Sequence, residues 1–303
     1  MDRSIATSAA PATGQLPDFL LIGAAKCGTT SLFGLMADHP EIYTPYRKEL
    51  WFFNNEIAGQ VESYKAHFSG AEANQVVGEA TPGYLPNVSP TIENIQKVYE
   101  ASPRFLVILR DPVRRFWSHY LHNRAHGWET RSFEEVIDDG ASTGTPAFPN
   151  SPIHNVFRVG EYGQQLERWF GAFSQSQFKI IFLEDLAEDT SGTLCKVFRF
   201  LGVTKTVEPV RLERRQNSAW SPRSEFVHDV VNPFVTRIVK KIFGEKAGYT
   251  VHKRVKEMNK QPIEKPRMPE WGRDVLAGYY EEDVRRLERL LDQPLPSEWT
   301  VRT

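Results

Sequence analysis

Cysteine is scarce in this sequence. Of its 303 residues only two are cysteines, Cys27 and Cys195. Two cysteines provide neither a disulfide framework nor the thiolate cluster of a metal site, and so low a content is typical of proteins in a reducing compartment. We therefore expect a cytoplasmic protein that holds no metal ion.

Long apolar runs and an excess charge of one sign are also missing. No stretch approaches the roughly 18 consecutive apolar residues of a membrane span, and residues 1–15 lack the apolar core of a signal peptide. Lysine and arginine total 37 against 38 acidic residues, a formal net charge of −1, so no general positive field attracts nucleic acid or anionic lipid. The sequence predicts no membrane span and no nucleic-acid partner, and an anion site has to arise from local clustering.

What the chain does contain is a regular alternation of apolar runs and amphipathic segments. A composition of 40% hydrophobic and 25% charged residues is typical of a globular protein. Short apolar runs predict strands, and helical patterns lie between them; the predicted strands are 19–23, 75–79, 104–110 and 178–183. This alternation predicts an α/β fold with a parallel β-sheet flanked by helices on both faces.

The predicted domain organisation is simple. Residues 1–16, which are rich in Ala, Ser and Thr, are expected to form a disordered leader, and residues 17–303 a single domain. The last part, about 205–303, is expected to be helical and variable. Within it, the amphipathic stretch 226–243 fits a helix packed on the core better than a helix on a membrane surface, because no other membrane signal accompanies it.

The segment Gly23–Ser31 follows the first predicted strand and opens a helix. A loop in this position presents backbone N–H groups and the positive end of a helix dipole to a ligand. Gly28 lets the backbone turn and approach that ligand closely, while Lys26 and the hydroxyl groups of residues 29–31 add hydrogen-bond donors. The pattern predicts a phosphate cradle, and hence a P-loop-like sheet.

This loop departs from the nucleotide pattern G-x-x-x-x-G-K-[ST]. Thr29 stands where an NTPase has its lysine, and the lysine lies inside the loop as Lys26. An NTPase lysine contacts the β- and γ-phosphates while a hydroxyl binds Mg²⁺, whereas a ligand with one phosphate and a terminal sulfate needs neither. A P-loop kinase of a small molecule stays an alternative, and so does a non-catalytic nucleotide-binding module.

A second cluster of positive charge follows the predicted strand 104–110. Arg110 stands at the C-terminal end of that strand, where open α/β sheets bind ligands, and Ser118 lies about two helical turns further on. A guanidinium and a hydroxyl suit a terminal phosphate, although an ion pair of Arg110 with Asp111 or another carboxylate fits the pattern equally well. For the neighbouring Arg114 and Arg115 a solvated helix face is favoured.

Asp111 has two interpretations. It is either a Walker-B carboxylate for Mg²⁺ or the N-cap of the helix that Pro112 begins. Aspartate at the N-cap followed by proline at the first helical position is a common start of a helix, so the cap is favoured.

Together the two motifs resemble those of sulfotransferases that use 3′-phosphoadenosine 5′-phosphosulfate (PAPS), especially the branch containing heparan sulfate sulfotransferases and many bacterial relatives. The resemblance implies that a loop like 25–31 holds the 5′-phosphosulfate, and that a strand and helix like 109–120 hold the 3′-phosphate. The implied ligand-binding residues are Lys26, Cys27, Gly28, Thr29, Thr30, Ser31, Arg110 and Ser118, with Arg223 from a region where relatives approach the nucleotide.

Glu49 is the implied general base. The segment Lys48–Phe53 resembles the family's Lys-Glu-x-x-Phe-Phe segment, in which the glutamate is the proposed base. Spacing alone favours a surface carboxylate paired with Lys48, whereas the resemblance favours a base. His119 and His122 are rival bases because another branch of the family uses histidine, although the position of His119 beside the implied 3′-phosphate residue favours a structural role.

The implied acceptor site comes from two further segments. The segment Gly78–Tyr84, which begins at the end of the second predicted strand, resembles the family's Glu-Lys-x-Pro-x-Tyr segment and points to Glu79 and Tyr84 as acceptor-binding residues. Ala80 replaces a frequent lysine there, which argues against a highly anionic acceptor. Trp51 and Phe53 are candidates for an aromatic wall of that cleft, although aromatic residues are more often part of the core.

The resemblance therefore implies an enzyme that moves a sulfuryl group from PAPS to an acceptor hydroxyl or amine by in-line displacement. Lys26 would neutralise charge developing on the departing 5′-phosphate, and the product would be 3′-phosphoadenosine 5′-phosphate (PAP). No metal is implied. Glycan, lipid and small-metabolite acceptors all stay open, and so does the oligomeric state.

Overall fold

The computed structural model describes residues 14–143, 155–203, 220–222, 232–258, 260–262 and 266–301. Within them five strands form a parallel sheet in the order β2-β3-β1-β4-β5. The strands are β1 (Phe19–Gly23), β2 (Ile42–Tyr43), β3 (Val76–Ala80), β4 (Arg104–Leu109) and β5 (Phe178–Phe182). The predicted parallel sheet is confirmed; β2 was not predicted, because a two-residue strand has no recognisable pattern.

Helices separate the strands and cover the sheet. They are α1 (Thr29–Ala37), α2 (Val61–Lys65), α3 (Val88–Val98), α4 (Pro112–Ala125), α5 (Phe133–Thr143), α6 (Tyr162–Ala172), α7 (Leu183–Glu188), α8 (Thr190–Leu201), α9 (Asn232–Phe243), α10 (Glu245–Met258) and α11 (Glu270–Leu290). Two short strands, β6 (Trp220–Pro222) and β7 (Lys260–Pro262), pair antiparallel. The leader 1–16 and the single-domain boundary stay predictions, since residues 1–13 lie outside the described residues.

The two central strands are the apolar centre of the molecule. The first four residues of β1 are completely buried, and so are the last five of β4. Strands that are buried on both faces need apolar side chains at every position rather than at alternate ones. This is why the sequence Phe-Leu-Leu-Ile and the sequence Phe-Leu-Val-Ile-Leu were recognisable as strands.

The parallel arrangement brings the ends of three strands together. Leu21 of β1 lies opposite Ala80 of β3, and Gly23 lies opposite Val107 of β4. The segments that follow β1, β3 and β4 therefore leave the sheet at the same edge, which is where open α/β sheets bind ligands.

The C-terminal helix α11 is an integral part of the fold. Asp283 accepts hydrogen bonds from the backbone N–H groups of Gly163 and Gln164 at 2.8 Å each, at the start of α6. The hydroxyl of Tyr280 donates to the carbonyl of Phe157 at 2.9 Å. These bonds attach α11 to the segment around residue 160, and so fix its position relative to the sheet.

Candidate active site

The loop after β1 leads into α1 through Gly28. This residue is the N-cap of α1 and has a φ of 93°, in the left-handed region. A Cβ at this position would lie 2.7 Å from Cδ1 of Leu183, so both backbone angle and space require glycine. Glycine has no side chain that could cap α1, so the positive end of the helix faces the loop and suits an anion.

Cys27 faces the core rather than the loop. Its Sγ is buried and lies 3.3 Å from the hydroxyl of Tyr162, which donates to the carbonyl of Arg110 at 3.1 Å. Burial raises the pKa of the Cys27 thiol to about 11, so the thiol is neutral. Any contact between Cys27 and a ligand would come from its backbone N–H, while Tyr162 connects the loop to the end of β4.

Lys48 contacts the start of α1, and Glu49 lies beside it. The Lys48 ammonium lies 3.2 Å from the Thr29 hydroxyl and 3.1 Å from the Thr30 hydroxyl. It also forms an ion pair with Oε1 of Glu49 at 3.3 Å. The Glu49 side chain is 41% exposed, so its carboxylate remains open to solvent beside the loop.

The backbone holds Glu49 in an unusual conformation. Glu49 and Lys26 have φ angles of 63° and 70°, in the left-handed region that non-glycine residues seldom adopt. The Glu49 N–H donates to the carbonyl of Ala80 at 3.0 Å, and the Trp51 ring packs against Gly83. These contacts attach residues 48–51 to the end of β3 and fix the direction of the Glu49 side chain.

The four predicted acceptor residues differ in exposure. Glu79, Tyr84 and Phe53 are buried, whereas Trp51 is half-buried. Burial raises the pKa of Glu79 to about 7, although hydrogen bonds from the hydroxyls of Thr81 and Tyr84 oppose the rise. Their predicted contact with an acceptor stays a prediction, and Trp51 has the most accessible of the four side chains.

Asp111 is the N-cap of α4, as its sequence position predicts. Its Oδ1 accepts from the N–H groups of Val113 and Arg114 at 2.8 and 3.1 Å. Its Oδ2 accepts from the backbone N–H of Thr300. Both oxygens thus accept from backbone donors, which confirms the cap interpretation.

Arg110 lines a cavity of about 220 Å³ at the same edge of the sheet. Arg114 of α4 and Arg273 of α11 line it too, together with Val113, Trp117, Met268 and Thr300. Three arginines thus line one small cavity, with the capping carboxylate of Asp111 4.0 Å from Arg114, in a chain of net charge −1. Ser118 is half-buried on α4, and Arg223 lies outside the described residues.

Arg115 corrects an expectation. A solvated face was favoured for it, but its side chain is fully buried. The guanidinium lies 3.0 Å from Nδ1 of His119 and donates to the carbonyl of Val156. The residues around 156, which are distant in the sequence, cover this face of α4, so local helical pattern could not reveal it. Arg114 is exposed, as expected.

The two rival bases lie on α4 with different partners. His119 is buried and contacts Arg115, which fits its predicted structural role. His122 lies near the C-terminal end of the helix, where the centroid of its ring is 4.2 Å from that of His126 and the two rings are tilted by 52°.

Two further properties concern metals and membranes. Among the residues that the structure describes, no three His, Cys, Asp or Glu side chains lie close enough together to hold a metal ion. In the same part of the chain, no helix is both long and apolar enough to cross a bilayer.

Sequence reasoning missed two cations at this edge. Lys48 was considered only as a partner of Glu49, because nothing in the sequence indicates that it reaches the hydroxyls of α1. Arg273 was missed because the fold brings it to Arg110 from more than 160 residues away. A basic residue that follows a strand-end motif along the chain can be found by pattern, whereas one from a distant helix cannot.

Comparison with known proteins identifies the relatives of this chain. Residues 16–224 match the family model described as "Sulfotransferase domain". A mouse protein, bifunctional heparan sulfate N-deacetylase/N-sulfotransferase 4, is 28% identical over 93% of this chain and 31% of its own length. The membrane-associated sulfotransferase kil1 of Dictyostelium discoideum is 38% identical over 35% of this chain and 22% of its own length. The chain therefore spans less than a third of either curated relative.

One solved structure is similar over almost the full chain. A sulfotransferase from Alicyclobacillus acidocaldarius superimposes with a TM-score of 0.66 and 25% identity. The match covers 94% of this chain and 99% of the bacterial one.

Proposed function

The chain belongs to the sulfotransferase family, and from this premise we propose that it transfers a sulfuryl group from PAPS to an acceptor hydroxyl or amine. The main support is one juxtaposition: the uncapped start of α1, next to Lys26, and the Arg110 cavity lie at the same edge of the sheet. PAPS carries anionic groups at both ends of one nucleotide, so two separate anion sites at one edge suit it. The substrates and the role of each residue are part of this proposal.

The residues of the loop suit the 5′-phosphosulfate. The N–H groups of residues 28–30 donate to a phosphate at the positive end of α1, and Lys26 adds a cation. The Arg110 cavity suits the 3′-phosphate, because charge-assisted hydrogen bonds from arginine are strong and geometrically specific. Arg273 joins Arg110 and Ser118 in this proposal, and Arg223 keeps the role that the resemblance implies.

Glu49 is the proposed general base. The acceptor oxygen or nitrogen attacks the sulfur, and the bond between the sulfur and the 5′-phosphate oxygen breaks with its electron pair on that oxygen. Glu49 takes the acceptor's proton as attack proceeds. The protein otherwise acts by position and by charge stabilisation, as in phosphoryl transfer.

A carbohydrate is the proposed acceptor class. The mouse relative is named as acting on heparan sulfate, and Trp51, an aromatic residue close to Glu49 in the sequence, is only half-buried. Ala80 adds no charge to this region, which favours a weakly charged sugar. A small-molecule acceptor is the alternative that an acceptor panel would reveal.

The proposed function is tested by binding and transfer on the purified chain. Calorimetric titration with PAP and with ATP plus Mg²⁺ separates a sulfotransferase from a P-loop kinase, which the family match does not favour. Incubation with radiolabelled PAPS and a panel of sugars, with and without EDTA, then measures transfer. We expect PAP binding and EDTA-insensitive transfer. If the chain binds PAP but transfers sulfate to no acceptor, the result would favour a non-catalytic nucleotide-binding module. Tight binding of ATP without binding of PAP would reject the proposal.

We also propose a cytoplasmic location, on the basis of two unpaired cysteines and the reducing environment they indicate. Fractionation of cells that produce the protein tests this, and recovery in the membrane fraction would contradict it.

A further inference from the structure

Lys48 joins the phosphate loop to the proposed base. Its Nζ contacts the hydroxyls of Thr29 and Thr30 at 3.2 and 3.1 Å, and a carboxylate oxygen of Glu49 at 3.3 Å. An ammonium group has three N–H donors, so these three oxygens can use all of them. The cation therefore spans the gap between the start of α1 and the Glu49 carboxylate.

This arrangement differs from a surface ion pair. In the pair between Lys65 and Glu62 on α2, at 2.8 Å, both side chains are more exposed than those of Lys48 and Glu49, and among the described residues the lysine contacts one carboxylate alone; such pairs contribute about 0–1 kcal/mol. The Lys48 side chain is only 17% exposed, and burial lowers its pKa. A cation that is withdrawn from water acts more strongly on a nearby anion than a solvated one does.

The position of Lys48 matches the path of the transferred group. In the proposed function the start of α1 holds the 5′-phosphate and Glu49 takes the proton of the acceptor, so the sulfuryl group passes between them. Lys48 already contacts both sides of that gap. Ala80, whose carbonyl accepts the Glu49 N–H at 3.0 Å, contributes no charge there.

We propose that the Lys48 ammonium binds the non-bridging oxygens of the sulfuryl group and stabilises their negative charge during transfer. This inference rests on the proposed function and assigns a catalytic contact to a residue that the motifs left as the partner of Glu49. Lys48 stays protonated throughout, while the proton of the acceptor goes to Glu49 and the electron pair of the broken bond goes to the 5′-phosphate. Because the sulfuryl oxygens compete with Glu49 for the ammonium, binding of PAPS also frees the carboxylate to act as a base.

The comparison of PAPS with PAP tests this contact, because PAP lacks the sulfuryl group. Lys48→Met and Lys48→Arg are compared with Lys65→Met, which removes the ordinary ion pair on α2. In Lys48→Met we expect affinity for PAPS to fall about tenfold, the value of one charge-assisted bond, and kcat about 100-fold. Affinity for PAP should stay within about threefold, Lys48→Arg should recover part of the loss, and Lys65→Met should match the parent.

The outcomes separate this inference from the proposed function. Equal losses of PAP and PAPS affinity, or a Lys48→Met variant that behaves like Lys65→Met, would overturn the sulfuryl contact. A parent protein that binds neither nucleotide, or transfers to no acceptor, would instead overturn the proposed function and the inference with it. Thermal melting shows whether each variant is folded. If Lys48→Met does not fold, Lys48→Gln, which keeps N–H donors without the charge, replaces it.

Discussion

Glu49 has a strained left-handed backbone conformation and a solvent-exposed carboxylate. A left-handed conformation at a non-glycine residue costs roughly 1–2 kcal/mol, and the hydrogen bond to Ala80 helps to maintain it. Lys26, within the loop after β1, also has a left-handed backbone conformation. Strained backbone persists where the surroundings impose it, often at functional sites. We therefore expect substitutions at both positions to lower activity.

Glu49→Gln is expected to lower kcat by about 10²–10⁴-fold, because an amide cannot accept the acceptor's proton. PAP affinity should change by less than a few-fold, since Glu49 does not contact the nucleotide in the proposed mechanism. Steady-state kinetics and calorimetry measure the two effects. Glu62→Gln on α2 is the matched control, and full activity in Glu49→Gln would transfer the base role to His122 or another group.

Arg110→Ala and Arg273→Ala are expected to lower the affinity for PAP much more than the affinity for adenosine 5′-phosphate, because adenosine 5′-phosphate has no 3′-phosphate. Each lost charge-assisted bond should cost about 1.5–3 kcal/mol, or roughly 10–100-fold in affinity. Arg285→Ala, elsewhere on α11, controls for a change in total charge. Equal losses for both nucleotides would show that the cavity does not bind the 3′-phosphate.

Glu79 is expected to make stability depend on pH. Its folded-state pKa of about 7 lies above the ordinary value of 4.5, so the folded protein holds the proton more tightly than the unfolded chain. Its contribution to stability is complete below about pH 4.5 and is lost as the pH rises through 7. Relative to Glu79→Gln, the parent should lose up to roughly 3 kcal/mol of unfolding free energy between pH 4.5 and 8. Urea unfolding across this range measures it, and parallel curves would contradict the assignment.

The helix α4 connects fold stability to the proposed nucleotide site. Its cap, Asp111, also accepts the N–H of Thr300 and adjoins Arg110. Asp189 caps α8 by a similar bond to Gly192 at 2.8 Å. Both helices thus start at an aspartate cap, but only α4 starts at the arginine-lined cavity.

Asp189→Ala is expected to lower the free energy of unfolding by about 0.5–2 kcal/mol through loss of a cap, and Asp111→Ala by more, because it also removes the acceptor for the N–H of Thr300. Only Asp111→Ala should also lower the affinity for PAP, because it loosens the residues beside Arg110. Urea unfolding and PAP titration on both variants give the comparison. Equal PAP affinities in the two variants would separate the cap from the binding site.

Elements with strong local signals could be predicted from the sequence, and elements without them could not. The apolar runs of β1 and β4 and the Asp-Pro start of α4 were found because a few adjacent residues determine them. β2 was missed because it has two residues, and buried Arg115 was misjudged because the segment around Val156 covers it. In the candidate site, Gly28 and Arg110 follow strand ends and could be identified, whereas the reach of Lys48 depends on how the chain returns over α1.

The fold as a unit brings distant parts of the chain to one cavity. Arg273 and Thr300 come from the C-terminal region, which was expected to be variable, and Arg110 directly follows β4. The bonds from Asp283 to the start of α6 hold α11 in the position that makes this meeting possible. Binding of PAP should therefore protect α11 as well as the loop after β1 against hydrogen exchange.

The contrast between the two thiols has a practical use. Cys195 is exposed on α8, whereas Cys27 is enclosed under the loop and keeps its proton. Because thiolates are the species that alkylate, a maleimide dye should attach to the folded protein at α8 alone. The native chain thus carries a ready attachment point for a fluorophore or a surface tether, with no engineered cysteine and no reagent at the loop.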